Sequence, residues 1–182
     1  MVITMFVGMA IELFLSLGLG MYHYRLDNVP LWLLFGHGFI FALVFRLSRK
    51  QWAIKRTIVI QKTLLCFAVL YSVFWLIWAN DWFGFLSAIA FMAIVYFAKK
   101  MRLFLLIMFT VVCYIELIGA ATGCWDWPET AFNVSSWLAS GNPPSGIAVF
   151  YLIINIIVFW IYMRLLHPTT KRRYQNIILR KI

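Results

Sequence analysis

Six apolar runs divide this chain, each about as long as is needed to cross a hydrocarbon core of about 30 Å. They cover Val2 to Tyr22, Pro30 to Leu47, Ile58 to Ala79, Phe83 to Ala98, Leu103 to Thr122 and Gly146 to Leu166. Apolar residues make up 64% of the sequence and charged residues 12%, against about 45–50% and about 25% in ordinary globular chains. A water-soluble surface cannot be built from that pool. The expected fold class is all-α, a polytopic bundle of six transmembrane helices forming a single domain over 1–182. An exterior loop is expected at 123–145 and a basic cytoplasmic tail at 167–182.

The basic residues orient the bundle. They cluster at Arg46 to Arg56, at Lys99 to Arg102 and in the tail at Lys171-Arg172-Arg173 and Arg180-Lys181. Of the 16 Lys and Arg residues, Arg25 alone falls on the opposite side, where Asp27, Asp81, Asp126 and Glu129 also lie. This asymmetry places the basic loops and both termini in the cytoplasm, in a membrane read as the bacterial inner one. The net charge of +10 then reflects loops facing anionic lipid heads. A soluble basic domain that could bind nucleic acid is missing from the pattern. The first run has neither a basic n-region nor a small-residue cleavage site, so it reads as a retained helix. The tail from Lys171 to Ile182 reads as an amphipathic segment on the inner leaflet or as a plain stop-transfer tail.

Tyr22, Tyr24, Trp32, Trp78, Trp82, Trp125, Trp127 and Trp137 gather near the exterior helix ends. They suit an aromatic belt at the head-group level, or the lining of a site for an elongated apolar ligand. The loop from Gly123 to Ser145 is apolar enough to pack over the helix ends. Within it, Asp126-Trp127-Pro128-Glu129 reads as a turn leading to a helix start. Asn133-Val134-Ser135 fits a glycosylation sequon. Cys66 and Cys113 fall in apolar runs and Cys124 on the loop, so no intramolecular disulfide is expected.

An internal echo links two parts of the chain. Ile11-Glu12-Leu13 is followed by Gly20, then Tyr22-His23-Tyr24, then Pro30. Ile115-Glu116-Leu117 is followed by Gly123, then Trp125-Asp126-Trp127, then Pro143-Pro144. Both leading helices run outward, so the echo describes a parallel repeat of two helix pairs, or else chance similarity in apolar sequence.

Ionisable residues inside a span are costly and are candidate functional groups. Glu12 lies about 12 Å below Gly20 at 1.5 Å per residue, and Glu116 lies at a similar depth below Gly123. His37 and Asn155 fall near the same level on the helices that follow. If these faces converge, a carboxyl can donate a proton while a second carboxylate or an imidazole accepts one, a chemistry suited to an isoprenoid alkene. Aromatic faces would stabilise the resulting cation. Alternatively, the four residues hydrogen-bond between helices and fix their packing. The candidate catalytic residues are Glu12, Glu116 and His37, and the candidate substrate-binding residues are Trp125, Trp127, Tyr22, Tyr24 and Asn155. His23, Asp27, Asp126 and Glu129 lack tight ligand spacing, so no metal and no cofactor is expected.

The stretch Glu116-Leu117-Ile118-Gly119-Ala120-Ala121-Thr122-Gly123, with the aromatic residues after it and a loop to Pro143-Pro144, resembles a motif of membrane carotenoid-biosynthesis proteins. The similarity is to the bacterioruberin-type hydratases and, more remotely, to the membrane lycopene cyclases. It covers about thirty residues and implies that Glu116 is the catalytic acid. The Pro-Leu-Glu-Glu signature of the cyclases is not kept, since Ser145 and Gly146 follow Pro144. Two functions are therefore expected. One is an enzyme or binder acting on an isoprenoid or other long apolar lipid. The other is a non-catalytic subunit or assembly factor of a larger membrane complex. The partners in either case are membrane lipids, further membrane subunits or a second copy of the chain.

Overall fold

The computed structural model describes residues 1–133, 137–162 and 164. The basic tail, the end of the last apolar run and the sequon at Asn133-Val134-Ser135 therefore lie wholly or partly outside the described residues. The described chain is helical, in keeping with the all-α expectation. Helix α1 (Val2–Glu12) continues as a π-helical turn over Leu13–Gly18, and a two-residue strand β1 (His23–Tyr24) follows. Next come α2 (Trp32–Ser48), α3 (Gln51–Lys55), α4 (Thr57–Ala79), α5 (Trp82–Phe97) and α6 (Arg102–Ala121). The last described elements are β2 (Trp125–Asp126) and α7 (Ala148–Ile161). Helices α4 and α6 are long and apolar enough to cross a membrane, and four further apolar helices are shorter.

Three elements depart from the expectation. The first helix stops at Gly18 and does not reach Tyr22, because Gly20 takes a left-handed conformation with φ 58°. That conformation ends a helix, and glycine adopts it without a Cβ clash. Among the described residues, the segment after Trp127 starts no α-helix and forms a 3-10 turn over Ala131–Asn133, broken at Phe132 by φ 59°. The basic loop contains the short helix α3, which no apolar periodicity announces.

The packing is a ring with an annex. Helix α1 packs against α2 and α7, and α6 packs against the same two, so α1 and α6 occupy opposite corners. Helix α5 leans on α6 and α7, while α4 leans on α5 and α6. Small residues allow the closest approaches. A Cβ on Gly8 would meet the His37 ring, and one on Gly38 would meet Met5, so α1 and α2 are drawn together around His37. In the annex, Phe91 and Phe109 are fully buried with ring centroids 4.9 Å apart.

One buried carboxylate fastens the long loop. Asp81, fully buried, caps α5 by accepting from Gly84 N at 2.9 Å. It also accepts from Gly141 N at 2.8 Å and from Ser145 N at 2.7 Å. Gly146 then lies where any side chain would meet the backbone of α5. Phe132 adds an edge-to-face contact on Phe83, and Thr130 bridges to Ala139. The loop thus lies across the helix ends and sets where α7 begins.

Replacing Asp81 by Ala strips three buried N–H groups of their acceptor, each worth about 1–3 kcal/mol when left unpaired. Thermal unfolding in detergent should show a loss of about 3 kcal/mol or more for Asp81→Ala. Asp81→Asn, which keeps one acceptor, should lose less. Equal stability of Asp81→Ala and the parent chain would contradict the clasp.

Candidate active site

The site begins where the first and sixth helices end. Both are closed by a left-handed glycine, Gly20 with φ 58° and Gly123 with φ 64°. Around Gly20, Met21 N donates to the Leu15 carbonyl at 3.0 Å, and around Gly123, Cys124 N donates to the Gly119 carbonyl at 2.8 Å. These bonds satisfy carbonyls that a helix end leaves unpaired. The two chain segments that emerge then pair as antiparallel strands, Tyr24 opposite Trp125 and His23 opposite Asp126.

That register decides where the aromatic rings go. Side chains alternate along a strand, and residues directly opposite each other share a face. Tyr22, Tyr24, Trp125 and Trp127 therefore point inward and are all buried, while His23 and Asp126 are exposed. The four rings form a roof. Tyr22 lies 4.6 Å from Trp127 between centroids, and Tyr24 packs edge-to-face on both Tyr22 and Trp125. Trp32, Trp78, Trp82 and Trp137 are exposed, so the aromatic cluster read from the sequence divides into two groups.

Beneath the roof is a cavity of about 60 Å3, lined by both Glu12 and Glu116. This is room for about two waters, so only the end of a ligand enters without side-chain movement. The walls come from two helices with matching spacing. Trp32, Leu33, Gly36, His37 and Ile40 line it from α2, while Ile147, just before α7, and Phe150, Tyr151 and Ile154 on α7 line it from the other side. Leu33 and Ile147, Gly36 and Phe150, His37 and Tyr151, and Ile40 and Ile154 stand at equal distances from Pro30 and Pro144. The lining reaches the outer surface at Trp32, which is half exposed.

The two carboxyls are held differently. Glu12 accepts from the hydroxyls of Tyr22 and Tyr24, the latter at 2.6 Å, and pairs with His37 Nε2 at 2.9 Å. Burial raises the Tyr24 hydroxyl well above its usual range and the nearby Glu12 charge adds to this, so the phenol stays a donor at neutral pH. Glu116 accepts from Trp125 Nε1 at 2.9 Å. Tyr151 and Trp127 line the same cavity, and Trp127 Nε1 is buried with no hydrogen-bond partner among the described residues. Between the two carboxyls, the rings of His37 and Tyr151 lie 5.6 Å apart, tilted by 33°.

Of the residues singled out in the sequence, Glu12, Glu116, His37, Tyr22, Tyr24, Trp125 and Trp127 come together in this cavity. Asn155 does not. It lines a second cavity at the other end of the ring, and its Nδ2 donates to the Tyr151 carbonyl at 2.7 Å. It stands one position beyond Ile154, turned by about 100° around the helix, and so lines a different space. Tyr151 was missed, although it stands seven residues beyond Pro144 as His37 stands seven beyond Pro30. Among the described residues, no cluster of three or more His, Cys, Asp or Glu side chains could hold a metal ion.

No protein-family model, curated protein or solved structure matches this chain. Its function is therefore argued from the cavity itself.

Proposed function

We propose that this chain is a multi-pass membrane enzyme that moves protons on an alkene of an isoprenoid or another long apolar lipid. The observation that carries this reading is the pair of glutamates lining one buried, aromatic-roofed cavity. Costly groups in an apolar interior are kept for a use or for packing. Two carboxyls, an imidazole and a phenol around one small space are the groups that acid–base chemistry uses. The resemblance of residues 116–123 to carotenoid-biosynthesis proteins supports an isoprenoid as the substrate class.

The roles follow from the hydrogen bonds. Glu116, as the neutral acid, donates its proton to an alkene carbon, and the π electron pair forms the new C–H bond. The cation left on the neighbouring carbon faces the rings of Tyr22, Tyr24, Trp125 and Trp127. A proton then leaves an adjacent carbon to His37, which Glu12 orients and whose charge it balances. The released C–H pair becomes the new double bond. The result is an isomer, or a ring if a second double bond attacks the cation first. Return of the proton past Tyr151 to Glu116 restores the site, with no oxidant or reductant consumed. A ligand approaching past Trp32 would come directly from the lipid.

The same reading takes α1 with its π-helical turn, α2, α4, α5, α6 and α7 as six transmembrane helices, with both termini in the cytoplasm. The short helices suit this, because the loops at one end lie close against the bundle, and the basic residues gather at the other. The pairs α1–α2 and α6–α7 form a parallel repeat. Matching glycines, paired strands and matching spacings from Pro30 and Pro144 support it. Impermeant labels should reach Asp27 and Glu129 replaced by Cys from outside, and Lys50 and Lys100 replaced by Cys only from inside. Labelling that separates Lys50 from Lys100 overturns the six-span arrangement.

Activity is tested by expressing the chain in bacteria that accumulate acyclic isoprenoids and resolving the products by chromatography and mass spectrometry. Glu116→Gln and Glu12→Gln should each lower product formation by about 100-fold or more, the usual scale for loss of acid–base catalysis, while the protein still accumulates in the membrane. Unchanged products with both variants, or no conversion by the parent chain across such hosts, would contradict the enzyme. Either result would favour a non-catalytic subunit of a membrane complex.

A further inference from the structure

The flank of the bundle carries a groove of about 550 Å3 between α4, α5 and α6. Helix α4 turns one stripe into it, Ile58, Gln61, Lys62, Leu65 and Val69, a spacing that follows a single helix face. Met92, Val95 and Tyr96 line it from α5, and Arg102 and Leu106 from α6. Val95 and Leu106 are buried beneath it, while Leu65 and Val69 stand at its rim, each 39% exposed. The groove is polar at one end only. Gln61, Lys62 and Arg102 lie near the basic turns that precede α4 and α6, and Val69 lies seven residues, about 10 Å, beyond Lys62 along its helix.

The two cations have no acid beside them in the groove. All six Asp and Glu side chains of the sequence lie among the described residues, and none of them lines it. Arg102 is held in place at the end of α5, where Nε donates to the Val95 carbonyl at 3.1 Å and Nη2 to the Tyr96 carbonyl at 2.9 Å. Those bonds satisfy carbonyls that a helix end leaves open, and Nη1 keeps its donors for another acceptor. A fixed guanidinium near a flexible ammonium suits a phosphate. The apolar stripe that continues from them is open along its side, which suits a hydrocarbon chain lying in lipid. Positive charge at one end and hydrocarbon along the rest match the polarity of a phospholipid carrying a net negative head.

We infer that this groove binds an anionic phospholipid, with its phosphate held between Lys62 and Arg102 and one acyl chain laid along Leu65, Val69, Met92 and Leu106. Such a lipid belongs to the leaflet against which the basic turns lie. The inference rests on the chain being embedded in a membrane and is independent of the acid–base reading.

Native mass spectrometry of the full chain in non-ionic detergent tests this, using phosphatidylglycerol, phosphatidylethanolamine with the same acyl chains, and glycerophosphate as probes. Phosphatidylglycerol should bind about tenfold or more tightly than phosphatidylethanolamine, the scale of two basic contacts near a head group. Lys62→Gln, at an exposed position, should reduce that preference by about threefold or more. Lys55→Gln, at an exposed basic position outside the groove, should leave it unchanged. Val69→Trp, which fills the apolar end, should weaken both lipids together. Equal losses in Lys55→Gln and Lys62→Gln would assign the preference to diffuse surface charge and overturn the site. Full preference in Lys62→Gln overturns it as well, and so does equal binding of the two lipids or of neither. Displacement of phosphatidylglycerol by glycerophosphate at a similar concentration would mark a phosphate site that ignores the acyl chain, which also contradicts the assignment. Because binding is read in detergent, a reversed orientation in the labelling experiment would change the leaflet and none of these outcomes.

Discussion

Glu12 is buried where α1 passes into its π-helical turn, in a stretch with no other charged side chain, and much of the surrounding architecture serves to satisfy it. A carboxylate in such a setting is tolerated only with donors around it. Its partners come from two places: Tyr22 and Tyr24 on the strand that folds back over the helix end, and His37 on α2. Each needs its own accommodation. The strand requires the left-handed turn at Gly20, and the approach of His37 requires the missing side chain at Gly8. The carboxylate thus couples the end of α1, the strand pair and the α1–α2 contact into one unit.

Glu116 sits in the corresponding place on the opposite corner, with different company. Indole replaces phenol in the roof, and Tyr151 occupies the position of His37. Similar backbones with different donors are the way two carboxyls acquire different tasks in one cavity. Glu12 is bonded by two phenols and an imidazole, whereas Glu116 is bonded by one indole; in the proposed reaction the first holds the imidazole and the second exchanges the proton. Asp81 contributes from a distance by fastening residues 141–145, and so fixes the height at which Tyr151 enters.

The helices were legible because long apolar runs leave few alternatives, and all six apolar runs begin within two residues of the observed helices. The convergence of Glu12 and Glu116 was legible through the echo of glutamate, glycine and paired aromatics. What stayed hidden follows from geometry. A two-residue strand is too short for any periodicity, so the register that aims the four rings could not be read. Depth along a helix comes from counting, but direction around it turns by about 100° per residue. That is why Asn155 was grouped with the glutamates while its neighbour Ile154 lines their cavity. Tyr151 was indistinguishable from other aromatics in its span. Two of the three partners of Asp81 are backbone groups some sixty residues away, although an Asp just before an apolar run is a helix-start signal that was available.

The central claim is that the two carboxyls share one site, and infrared difference spectroscopy across a pH change reads it most directly. Carboxyl bands of the parent protein would be compared with those of Glu12→Gln and Glu116→Gln. Each substitution should remove one band and shift the band that remains, because the lost group belonged to the environment of the other. Two bands that disappear one at a time, each leaving its companion unmoved, would contradict the shared site.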